Sequence, residues 1–182
     1  ACLDYPASVP NLLYRMMTGK RLAEDPYSID GLDRFVAKQV MKFLMNTKGF
    51  QGAEMALKNW LIDAGSCQKE TMIVSDAIKK LGSERNLLEL VVARNEPIRP
   101  CLLLGPAMGQ HYQWLEANLV FHVAHQLSLR DIPTLTVHDE FIVTEKNKDI
   151  AEELMYSEWP EDLPMLAEAP WNRRCETQSG GF

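Results

Sequence analysis

Two spacings of hydrophobic residues organise this chain. Over most of its length apolar side chains recur every three or four positions, the period of a helix with one buried face. Near residue 1 and again near residue 140 they crowd instead into short β-favouring runs. The opening "ACLDYP" predicts a strand ended by Pro6. "VPNLLYRMMTG" then places Leu12, Leu13, Met16 and Met17 at helical spacing, with Gly19 as the stop. Turn chemistry surrounds Pro26 and Gly31. From Leu32 to about Asn46 the pattern is an amphipathic helix with Phe35, Val36, Val40, Phe43 and Leu44 as its apolar stripe.

"GFQGAEMALKNWLIDAG" is punctuated by glycine and then helical to about Leu61. "KETMIVSDAIKKLGSERNLLELVVARN" predicts two helices split near Gly82, and "EPIRPCLLLGPAMG" predicts a loop. Gln110 to Arg130 is a long helix with Leu115, Leu119, Val123 and Leu127 along one side. "TLTVHDEFIVTE" reads as strand–turn–strand, with Leu135, Val137, Phe141 and Val143 toward a core and His138-Asp139-Glu140 at the tip. "NKDIAEELMYSEW" is a helix with Asn147 as a candidate cap, and the tail "CETQSGGF" looks frayed. Mostly helical with a few strands, the pattern predicts an α+β fold rather than alternating βαβ units.

Composition narrows the classes. The 182 residues are 46% hydrophobic and 24% charged, enough for a substantial core and unlike a disordered chain. A net charge of −6 gives no global attraction for nucleic acid, so a polyanion site has to be a local basic patch or be helped by metal ions. Cys2, Cys67, Cys101 and Cys175 form no CxxC pair, which argues against a zinc site and fits a reducing intracellular setting. No apolar run reaches membrane-spanning length. The chain starts as though in the middle of a strand, which suggests a piece of a larger protein.

Three features carry candidate chemistry. Asp4 ends an apolar strand, where a sheet can aim a carboxylate at a metal; alone it is equally a turn or capping residue. Arg34, Lys38 and Lys42 share a helix face at i, i+4, i+8, suited to phosphates or simply solvated. Asp139 sits at a hairpin tip, where acids are common. Together, two strand-borne carboxylates and a cationic helix are the parts that metal-assisted phosphoryl transfer requires. Carboxylates roughly 4–6 Å apart can bridge two Mg2+ ions held roughly 3.5–4 Å from each other. His111, His122 and His125 lack a third ligand at suitable spacing and read as packing or surface residues. The nine methionines read as core filler, and Trp60 and Trp114 suit core edges as well as base stacking.

The order of these motifs resembles the palm and fingers of the family A DNA polymerases, which share their architecture with the single-subunit phage-type RNA polymerases. "LDYPASVPNLLY" resembles the family's first motif and "DPY" a tripeptide downstream of it. "DRFVAKQVMKFLMN" resembles the fingers helix, and "VHDEFIV" the third motif. The likeness spans about residues 1 to 156.

It implies a small antiparallel palm sheet packed on helices with a shortened, mainly helical fingers region. The palm's first part would be 1–31, the fingers-like region 32–108, the second palm part 109–160 and a tail segment 161–182. It implies Asp4 and Asp139 as ligands of two Mg2+ ions, replaceable by Mn2+, with the Tyr5 carbonyl as a further ligand. Glu140 and His138 would lie beside the primer terminus, with Glu140 among the catalytic acids. Arg34, Lys38 and Lys42, with Tyr5, would meet the nucleoside triphosphate.

The implied partners are a primed DNA template and nucleoside triphosphates, with further domains or subunits supplying thumb functions and no membrane. The implied setting is the cytoplasm of a bacterial or phage-infected cell. Two other readings stay open: RNA or primase-like synthesis on the same fold, and a polymerase-like module that binds or assembles without catalysis.

Overall fold

A short N-terminal strand, Cys2–Asp4 (β1), is completed only by residues more than 130 positions away, and this return fixes the architecture of the computed structural model. The structure describes residues 1–5, 7–20, 22–63 and 68–157. Pro6, Cys67, Cys175 and the tail expected over 161–182 lie outside them. After β1 come helices α1 (Ser8–Thr18), α2 (Arg34–Asn46), α3 (Gly49–Asp63), α4 (Gln68–Leu81) and α5 (Glu84–Arg94). A 3-10 helix, Glu96–Cys101, precedes α6 (Pro106–Leu129), the hairpin strands β2 (Thr134–Val137) and β3 (Glu140–Val143), a 3-10 turn (Glu145–Asn147) and α7 (Lys148–Ser157). Among the described residues the fold is α+β as expected, 71% helical with one three-stranded antiparallel sheet in the order β1-β3-β2.

The chain divides into two compact units, Ala1–Lys20 with Gln113–Phe182, and Arg21–Tyr112. In the first, the sheet buries one face. Leu3 pairs with Phe141, and both are buried, as is Val143. Tyr5 follows them inward: its hydroxyl donates to the Met155 carbonyl at 2.9 Å, and its ring meets Phe141 and Tyr156 edge-on. Leu12, Leu13 and Met16 of α1 are buried, and so is the α6 stripe Leu115, Leu119, Val123 and Leu127, as its spacing predicts. Gly19 ends α1 in the left-handed conformation, its N–H donating to the Arg15 carbonyl.

The second unit is helical. Asp33 caps α2 by accepting from the Phe35 N–H, and Val36, Ala37, Val40, Met41 and Leu44 are its buried face. Two turns of sequence logic are corrected here. The segment expected to be a glycine-broken lead-in is helical from Gly49, and the proline-rich stretch expected to be a loop holds the 3-10 helix. Pro97 and Pro106 stand at helix starts, where a missing N–H costs nothing.

Asn95 is the one fully buried polar side chain among the described residues. Its amide donates to the Pro26 carbonyl at 3.0 Å and the Val91 carbonyl at 2.9 Å, pinning the loop around Pro26 to the end of α5. Asn95→Ala strips both acceptors of a donor in a buried site and is expected to cost about 2–3 kcal/mol in denaturant unfolding. A loss under about 0.5 kcal/mol would mean that the loop is held by other contacts.

Candidate active site

The hairpin is tight. Val137 pairs with Glu140, so the turn is the two residues His138 and Asp139, and His138 adopts a φ of 56° to close it. Facing partners on antiparallel strands project to the same side of the sheet. Asp4 pairs with Glu140, so both point away from the Leu3–Phe141 core face. A facing pair has Cα atoms roughly 4.5–5.5 Å apart and neighbours along the chain about 3.8 Å, so the Asp139 Cα lies within roughly 9 Å of that of Asp4. Side chains a few ångströms long can close such an interval to the spacing at which two carboxylates share cations.

Leu135 and Val137 belong to this outer face too. They are 70% and 48% exposed, beside Ile142 at 40%. The expectation that they face the core with Phe141 and Val143 is therefore corrected. A two-residue turn leaves Val137 facing Glu140, and the alternation along each strand does the rest.

A further acid enters from α6. Glu116 is half-buried and accepts a short hydrogen bond from the Ser8 hydroxyl. Burial pushes its carboxyl above the usual range, the Ser8 hydrogen bond opposes this, Asp139 and Asp4 raise it further, and His138 lowers it. These influences place Glu116 within electrostatic reach of both the hairpin tip and the end of β1. The sequence reading missed it, although a signal exists: Glu116 lies on α6 among Tyr112, Leu115, Leu119 and Val120, all buried.

Glu140 accepts a long contact from the Cys2 thiol at 3.6 Å. The Cys2 thiol is pushed up by desolvation and then by Glu140, and burial raises Cys101 to about 11, so neither is poised as a nucleophile.

The cationic row belongs to the second unit. Lys38 and Lys42 are exposed on α2, as their spacing predicts. Arg34 is already engaged: its Nε donates to Asp25 at 2.5 Å, and its guanidinium lies 5.1 Å from the centre of the Tyr27 ring. For Asp25, burial acts upward, but hydrogen bonds from Arg34 and the Tyr27 N–H, with the charges of Arg34 and Arg94, hold the carboxyl below its usual value. Tyr5 spends its ring and hydroxyl on the core. Trp60 packs on Phe43, and Trp114 is exposed.

Comparison with protein-family models, curated proteins and solved structures returns no match.

Among the described residues no group of three or more His, Cys, Asp or Glu side chains converges as a metal cage. That leaves room for Mg2+, which is usually bound by one or two carboxylates while phosphates and water complete the octahedron. Asp4 and Asp139 fit that demand. Among the same residues no helix is long and apolar enough to cross a membrane.

Two outcomes test this geometry. His138→Val forces a β-branched residue into the left-handed region and is expected to lose about 1–2 kcal/mol, whereas His138→Gly keeps or gains stability; equal effects in thermal unfolding would deny the strained turn. The second concerns Glu116. Its native carboxyl titrates above the unfolded value of about 4.3, so as pH rises past that value the unfolded chain ionises first and native stability falls relative to it. The stability of Glu116→Gln relative to the parent chain is therefore expected to be greater at pH 7 than at pH 4. A pH-independent difference would remove the burial effect.

Proposed function

We propose that this chain is a template-dependent nucleotidyltransferase, a DNA polymerase of the family A type, extending a primer 3′-hydroxyl with nucleoside triphosphates. One observation carries the reading: the β1–β3 register sets Asp4 opposite Glu140, one residue from Asp139, on the sheet face turned away from the core. Two neighbouring carboxylates, one ending a strand and one in the adjoining hairpin turn, are what a pair of divalent cations requires, and the order of the surrounding motifs agrees with the polymerase resemblance. Asp4 and Asp139 would hold Mg2+ or Mn2+, with the Tyr5 carbonyl as a further ligand. Bound there, the cations supply charge stabilisation for the phosphate oxygens.

The remaining work falls to positioning. The primer hydroxyl oxygen forms a bond to the α-phosphorus, the bond to the leaving pyrophosphate breaks, and the hydroxyl proton passes to solvent or a nearby carboxylate. His138 and Glu140, at and beside the hairpin tip, are the groups suited to the primer end. Lys38 and Lys42 are the candidates for neutralising the triphosphate, and Arg34 joins them by exchanging Asp25 for phosphate.

The pairing of Arg34 with Asp25 and Tyr27 also favours a second reading, a polymerase-like module that binds without catalysis. Primer extension on a primed template with Mg2+ or Mn2+ decides between them. The parent chain is expected to extend, and Asp139→Ala to lose several kcal/mol of transition-state stabilisation, at least roughly a hundredfold in rate. Equal activity in both chains, or none in either, sinks the catalytic reading. Deoxy- against ribonucleotide incorporation in the same assay separates DNA from RNA synthesis.

A further inference from the structure

We infer that Glu116 is a positioning residue for the Asp4–Asp139 pair, acting through its hydrogen bond with Ser8; the inference rests on the nucleotidyltransferase reading above. Ser8 opens α1 only four residues after Asp4. The chain reverses into that helix through Ala7 at a φ of 52°, in the left-handed region, and no side chain caps the helix there. Ser8 is the first helical residue, one past the cap position that Ala7 holds, so its hydroxyl is not placed to cap its own helix. Here the hydroxyl instead donates to a carboxylate 108 positions along the chain, on α6. This is a charge-assisted bond in a part-buried setting, where it is stronger than its exposed counterparts.

The cost of Glu116 argues that it has a use. An acid among Tyr112, Leu115, Leu119 and Val120 gives up hydration that an apolar residue would not need. What it gains is a link between α6 and the first residue of α1, four positions after Asp4. The same carboxylate is within electrostatic reach of Asp139, His138 and Asp4, so it adds negative potential behind both halves of the pair. Removing its charge or its hydrogen bond should therefore loosen the pair's hold on a cation although both aspartates are retained.

The test uses the full chain and Mn2+ alone, read by the loss of the free aqueous ion's EPR signal, alongside thermal unfolding and primer extension. Glu116→Gln keeps an acceptor for Ser8 but removes the charge, and Ser8→Ala removes the bond but keeps the charge. Glu116→Gln is expected to weaken Mn2+ binding about 3–10-fold, and Ser8→Ala to weaken it less, as expected for a charge acting at several ångströms through partly screened protein. Extension by both variants should need correspondingly more Mn2+, with the nucleotide KM unchanged. Normal Mn2+ binding in both variants, with only the unfolding temperature altered, makes the contact a packing feature and overturns the inference while the parent reading stands. If the parent chain and Asp139→Ala bind Mn2+ alike, the underlying two-aspartate reading fails and takes the inference with it.

Discussion

The antiparallel pairing of β1 with β3 is the constraint from which the first unit follows. Three residue pairs set it: Cys2 with Ile142, Leu3 with Phe141, and Asp4 with Glu140. Because side chains alternate, burying Leu3 against Phe141 obliges Asp4 and Glu140 to share the opposite face. A slip of one residue would turn the acids into the core and the aromatic ring out to water. Phe141 is the largest fully buried side chain among the described residues, and Tyr5 and Met155 close over the same side. The apolar face thus fixes the register, and the register places the carboxylates. Stability and candidate chemistry are decided by one set of backbone hydrogen bonds.

That arrangement is not the one a sheet would choose for stability alone. Acids facing each other across strands repel, and a third carboxylate half-buried nearby adds to the cost. The exposed position of Asp4 keeps the penalty small, since water and salt screen it. The neighbouring Leu135, Val137 and Ile142 make the same face unusually apolar for an outer surface. Negative charge and exposed apolar side chains thus share one sheet face, an arrangement that follows from the register.

Much of this was legible in the residues. The hairpin announced itself because two β-favouring runs flank the polar triplet His138-Asp139-Glu140, although Glu140 belongs to β3 and not to the turn, and α2 and the buried stripe of α6 followed from helical spacing. What escaped did so for physical reasons. Leu135 and Val137 look like core residues, yet strand alternation counts through the turn, and only the pairing of Val137 with Glu140 reveals their face. The 3-10 helix over Glu96–Cys101 hides behind prolines that punctuate loops but also start helices. Glu116 is silent in one dimension because its partner Ser8 is 108 positions away. Spacing on a helix can report that an acid lies on an apolar face; it cannot report what neutralises it.

The engagement of Arg34 illustrates how far such a partner constrains function. Its pair with Asp25 is largely exposed, with the two side chains 55% and 35% accessible, so it is worth no more than about 1 kcal/mol. The Tyr27 ring adds a contribution of similar size at most, and it stacks on the guanidinium without consuming its donors. Both contributions are small, and the guanidinium keeps donors beyond the two that Asp25 uses. The resting pair therefore holds Arg34 extended from the first turn of α2 without sequestering it. Lys38 and Lys42 lie exposed one and two turns further on. On α2, then, a weak surface pair engages the first cation of the row and leaves the other two in water, although spacing by four puts all three on one helix face.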